Sequence, residues 1–112
     1  MANLVQAQAI FTELLGKYEG AEQMRNAQFG GMYRENNAAA HQTKLSFDKQ
    51  FKDAVAANKP ADMQSTFDAL LKKFEGADHM RNFAASTRYI EDEKITKETV
   101  KAFKARFAAA MA

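Results

Sequence analysis

The sequence predicts an all-α domain made by tandem duplication of a ~56-residue helical unit, with two pseudo-twofold-related halves forming one helical bundle. Three observations carry this expectation. The stretch LLGKYEGAEQMRN, from Leu14 to Asn26, returns as LLKKFEGADHMRN, from Leu70 to Asn82, and the same offset of 56 gives 18 identities over the two ungapped halves, 1–56 and 57–112. Apolar residues recur at helical spacing in both halves. Period-two runs rich in β-branched residues, and Asn-Gly or Asp-Gly hairpin signals, are missing from the sequence.

In the first half, Leu4, Ala7, Phe11, Leu14 and Tyr18 fall in alternating steps of three and four, with Ile10 and Leu15 beside them, which draws one stripe down a helix. The copy runs through Met63, Phe67, Leu70, Leu71 and Phe74, and Asn58 followed by Pro60 marks its start, since proline suits the first helical turn. Gly20 and Gly76 follow the stripes. Glycine there favours a left-handed cap, and Glu22 or Asp78 two positions on would suit the first turn of a new helix. The sequence therefore predicts a break and three helices per half, with four longer helices as the alternative if the glycines lie within helices.

Beyond the break, Met24 and Met80 extend the apolar stripe. The second half continues helically through Phe83, Thr87 and Ile90, whereas Gly30-Gly31 and Glu35-Asn36-Asn37 predict a looser connection in the first. Thr43, Ser46, Thr96 and Thr99 are candidate amino caps for a final helix. Phe47, Phe51, Ala54 and Val55 line that helix in the first half, and Val100, Phe103, Phe107, Ala110 and Met111 in the second.

At 112 residues the chain fits a single domain, and because each 56-residue half buries too little surface to be stable alone, the two should share one core. Hydrophobic residues make up 46% of the chain, including nine Phe and six Met, enough to build it. The lack of cysteine excludes disulfides, thiolate metal sites and a Cys nucleophile, and suits a reducing compartment. No apolar run approaches the roughly 20 residues of a membrane span, and Gln6 and Gln8 interrupt any signal-peptide core. These features suit a cytoplasmic protein, bacterial or phage-encoded, the latter placing it in a virion or host cytoplasm.

Motifs for catalysis are missing. His41 and His79 do not correspond under the repeat, so no metal site is duplicated, and no HExxH motif or EF-hand loop occurs. Gly30-Gly31 lacks the context of a phosphate cradle, and Ser46, Ser65 and Ser86 lack that of a nucleophile elbow. No enzyme, cofactor or small-molecule substrate is implied.

Two polar features remain. With Met24 and Met80 in the core, Arg25-Asn26 and Arg81-Asn82 turn to the helix flank, where guanidinium and amide groups suit carboxylate or phosphate groups on a partner; Tyr33 and Tyr89 are their aromatic neighbours. Arg25 with Glu22, and Arg81 with Asp78, also have the spacing of intrahelical ion pairs. The second feature is basic: Lys97, Lys101 and Lys104 share one helix face, with Lys94 and Arg106 nearby. That face suits solvent or nucleic-acid phosphate, and less well an anionic membrane, because the core needs the apolar side. The expectation is a non-catalytic interaction protein that binds another protein or itself, with weak nucleic-acid binding through the basic helix as the alternative.

Overall fold

The computed structural model describes residues 2–29, 33–85 and 89–112, with side chains at all of these except positions 28, 29, 33, 84 and 85. Four helices account for nearly all of them: α1 (Leu4–Phe29), α2 (Tyr33–Ala56), α3 (Pro60–Ala85) and α4 (Tyr89–Met111). No strand occurs among the described residues.

The ends of the helices follow from local chemistry. Asn3 caps α1, its Oδ1 accepting the Gln6 N–H at 3.0 Å, which satisfies one of the orphan donors of the first turn. The α2-to-α3 turn is a Schellman cap, in which the Asn58 N–H donates to the Val55 carbonyl and the Lys59 N–H to the Ala54 carbonyl, both at 3.0 Å. Asn58 takes the required left-handed conformation, with φ 53°. Pro60 then opens α3 as the sequence predicts, and Asp62 in the first turn complements the helix dipole.

The expected breaks at Gly20 and Gly76 do not occur. Both glycines lie inside unbroken 26-residue helices, neither has a positive φ, and a methyl group added to either would meet nothing within 4 Å. A glycine in a helix costs only about 1 kcal/mol relative to alanine, which the packing of long apolar stripes outweighs. The candidate caps are corrected for the same reason. Thr43, Thr96 and Thr99 sit within helices and turn their hydroxyls back to the carbonyls of Ala39, Asp92 and Ile95. Ser46 is likewise inside α2, accepting a hydrogen bond from Gln50. Gly30-Gly31, Ser86 and Thr87 fall outside the described residues.

The core is built on four phenylalanines. Phe11 stacks on Phe51 at 4.1 Å between ring centroids, Phe67 stacks on Phe107 at 4.0 Å, and Phe51 meets Phe107 edge-on at 6.1 Å. Offset and edge-on rings favour this joining of two pairs. Leu14, Met63 and Leu70, all fully buried, pack in the same core. Phe11 and Phe67 both lie seven residues into their helices, whereas Phe51 and Phe107 lie near the ends of theirs, so α1 and α3 run parallel and α2 and α4 run the other way.

The cross-section is squashed rather than square, with extents of 44 × 30 × 16 Å. α1 and α3 pack directly on each other, while among the described residues α2 and α4 make no backbone approach to one another. At the Phe-rich end, α4 also reaches α1, where Arg106 pairs with Glu13 and the Asn3 N–H meets the Ala110 carbonyl at 2.6 Å. Towards the opposite end, α2 is tied to α1 and α4 to α3.

Candidate functional site

At the end of the bundle away from the phenylalanines, each helix pair is fastened by a polar cluster. In the first half, the Asn26 side-chain amide donates to Asn37 Oδ1 at 2.7 Å, linking α1 to α2. In the second, the Asn82 amide donates to Glu93 Oε1 at 3.0 Å and to Thr96 Oγ1 at 2.9 Å. The Thr96 hydroxyl in turn reaches Asp78 Oδ2 at 2.5 Å. The second cluster is the more enclosed: Asn82, Asp78 and Thr96 are all buried, and Ala40 stands where Thr96 would fall in the first half.

Asn26 and Asn82 thus stand inside the fold, with their amides spent on neighbouring helices. Arg25 and Arg81 do reach the surface, each about one-third exposed. Arg25 pairs with Glu22 at 3.3 Å and Arg81 with Asp78 at 2.7 Å, the intrahelical spacing expected from sequence. In both arginines the Nε–H is buried without a partner. Such an orphan costs on the order of 1–3 kcal/mol, and here it recurs at corresponding positions.

Met24 and Met80 reverse the sequence expectation: both are exposed, and Asn26 and Asn82 take the inner positions. The three-and-four stripe that fits α1 against α3 holds as far as Ala21 and Ala77. Beyond them the inward positions are Asn26 and Asn82, which face α2 and α4, two residues past the methionines. Tyr89 is partly buried between the His79 and Phe83 rings, at 6.0 and 6.1 Å. The side chain of Tyr33 lies outside the described residues.

The histidines form cross-helix pairs. His41 Nδ1 lies 2.7 Å from Glu19, which also takes Lys44 at 2.9 Å; His79 Nδ1 lies 3.0 Å from Glu93. Hydrogen bonds from His41 and then Lys44 hold the Glu19 carboxyl below its ordinary pKa. Burial pushes the Glu93 carboxyl up, but the Asn82 and His79 hydrogen bonds and the Lys97 charge together bring it below the ordinary value. No group of three or more metal-ligating side chains occurs among the described residues.

Lys94, Lys97, Lys101, Lys104 and Arg106 are all exposed on α4; the lysines form a basic outer face, and Arg106 turns instead towards α1. Arg106 is the most constrained, lying 5.3 Å over the Phe103 ring while pairing with Glu13.

Two features were not singled out from the sequence. One is a set of large apolar side chains left in solvent where α3 meets α4: Met80, Phe83, Ile90 and Ile95, of which Phe83 is 62% and Ile90 79% exposed. The other is a pair of grooves between α1 and α3 at corresponding places. One is bounded by Tyr18, Glu22 and Arg25 of α1 and by Lys72, Lys73 and Gly76 of α3, with a volume of about 570 Å³. Its counterpart, about 320 Å³, is bounded by Phe74, Asp78 and Arg81 of α3 and by Lys17 and Gly20 of α1, and is closed by Ile95 and Thr99 of α4. The repeated Lys17/Lys73 and Gly20/Gly76 pairs were the available signal.

No protein-family model, curated protein or solved structure matches this chain. No helix among the described residues is long and apolar enough to cross a membrane.

Proposed function

We propose that this chain is a small non-catalytic helical interaction module, bacterial or phage-encoded and working in a cytoplasm. We propose further that it arose by tandem duplication of a 56-residue unit and acts by binding another protein or a second copy of itself. The duplication is supported by the spacing of the helices, since α3 and α4 each start 56 residues after α1 and α2, and by the matched phenylalanine pairs.

The observation that carries the function is the apolar group where α3 meets α4. Met80 and Phe83 share one face of α3, Phe83 touches Tyr89, and Ile90 continues the surface along α4. Large apolar side chains that the core does not use have the character of an interface centre, and Arg81, about one-third exposed on another face of α3, adds a charged contact. Asn82 serves this surface indirectly, by tying together α3 and α4, the helices that present it.

Nucleic-acid binding is favoured by a separate observation. Lys94, Lys101 and Lys104 are exposed, and among the described residues none of them is held in an ion pair. A net charge of +2 supplies little long-range attraction, which ranks this role second.

The two are separated by sedimentation velocity of the pure protein together with affinity capture from the native cell, with and without nuclease. Phe83→Ser combined with Ile90→Ser should abolish self-association or partner capture, and Arg81→Ala should weaken it. Lys97→Glu, Lys101→Glu and Lys104→Glu should leave it intact. Capture that disappears with nuclease or with the lysine changes, and survives the apolar ones, would put nucleic acid first.

A further inference from the structure

The two α1/α3 grooves occupy corresponding places, yet they differ in a consistent direction. Where the smaller groove has Phe74, the larger has Tyr18, which brings a hydroxyl. Lys72 lines the larger groove, and its counterpart in the other half is Gly16; Ala69 lines it where the counterpart is the acidic Glu13. Ile95 closes the smaller groove, whereas its counterpart, Ala39, is too short to close the larger. Each difference makes the larger groove roomier, more polar or more basic.

The outcome is three cations, Arg25, Lys72 and Lys73, around one carboxylate, Glu22, which is already paired with Arg25. Among the described residues Lys72 and Lys73 take part in no ion pair. Gly76 lies in the wall with open space where a side chain would project, and Ala69 and Ala77 add a short apolar floor. A volume of about 570 Å³ lies within the range of small-molecule sites.

We propose that this groove is a binding site for a phosphorylated small molecule of up to nucleotide size. Lys72 and Lys73 act as point charges on the phosphate oxygens, while Arg25, steadied by Glu22, supplies a planar donor. Tyr18 offers a neutral donor: burial first and the Glu22 charge next raise its pKa, against the smaller opposing effects of Thr43 and Arg25, so the phenol keeps its proton. The organic part lies against Gly76, Ala69 and Ala77. The site does not overlap the apolar end of the bundle, so it stands or falls separately from the proposed partner surface.

The test is a titration of the full chain followed by backbone amide NMR shifts, with pyrophosphate, ATP and citrate as probes. Saturable shifts centred on Lys72, Lys73 and Gly76, with a Kd for ATP below about 1 mM, are expected, citrate binding more weakly. Lys72→Ala with Lys73→Ala should weaken ATP binding by about tenfold or more, as expected for loss of two charge-assisted contacts. Gly76→Leu should abolish it by filling the groove, on a backbone that tolerates a side chain, while Gly20→Leu should leave it unchanged. Absence of saturable shifts, binding that survives Gly76→Leu, equal loss with Gly20→Leu, or citrate binding as tightly as ATP would each overturn the assignment.

Discussion

Replacing Gly20 and Gly76 by alanine tests whether α1 and α3 are single helices. Each glycine has ordinary helical backbone, and its new methyl would meet no atom within 4 Å, so neither strain nor overpacking opposes the change. What remains is the difference in helix propensity together with the reduced freedom of the unfolded chain, about 1 kcal/mol per site. With an unfolding entropy near 2.1 cal/mol/K per residue, a chain of 112 residues has about 0.24 kcal/mol/K at its midpoint. Each alanine should therefore raise Tm by about 4 °C. The added methyls have no close neighbour to share, so the double variant should gain about 8 °C. Thermal unfolding followed by far-ultraviolet circular dichroism, which reports helix content, reads the change directly. A fall in Tm at either site would refute continuous helices there and restore a left-handed cap with its positive φ.

Other perturbations probe the core and the polar clusters. Phe67→Ala should cost roughly 3–5 kcal/mol in chemical denaturation, because Phe67 is fully buried and stacks on Phe107; a parental midpoint would show that the ring is not core. Asn82→Ala should cost about 2–3 kcal/mol and Asn26→Ala about 1 kcal/mol, since Asn82 holds two partners on α4 and Asn26 one on α2; equal losses would contradict the tighter second cluster. Glu19 and Glu93 have depressed folded-state pKa values, so their stabilisation is complete above the ordinary carboxylate pKa and is lost as pH falls through the lower folded value. Glu19→Gln and Glu93→Gln should therefore flatten the acid limb of a Tm-versus-pH curve, and an unchanged limb would show that these pairs are not linked to folding. Duplex DNA binding should be weak, with a log–log salt slope no steeper than about −4.5, since five basic residues on α4 limit the phosphate contacts at about −0.9 each.

Much of the architecture was legible from residue spacing. Phe11, Phe51, Phe67 and Phe107 fall on helical stripes and emerge as the core, and the Asn58–Pro60 punctuation marks the turn before α3. Gly20 and Gly76 misled because a glycine's preference for caps is local, whereas helix continuity is decided by packing along the whole stripe. Thr96 looked like a cap for a similar reason: its hydroxyl serves its own helix and the α3–α4 contact, and only tertiary structure reveals that second partner. Met24 and Asn26 exchanged roles because a stripe read from hydrophobicity passes over a buried amide, and Asn26 turns inward to Asn37 of α2 while Met24 stays in solvent. The grooves could not be read from either half alone. They lie between residues such as Tyr18 and Lys73, which only the parallel packing of α1 and α3 brings together.

The hydrogen bond between the Asn3 N–H and the Ala110 carbonyl has a topological consequence. The start of α1 rests beside the end of α4, much as the start of α3 rests beside the end of α2. The path of the backbone is thus almost a ring of four helices, interrupted where α4 meets α1 and continuous through the three-residue connection at 57–59. In such a ring the chain order is a choice of opening point more than a property of the packing. A permuted chain running α3, α4, α1, α2, with a short polar linker from residue 112 to residue 2, places every helix against its present neighbours. Such a chain should melt as the parent does, because its order changes which half leads during synthesis and leaves the helix contacts as they are.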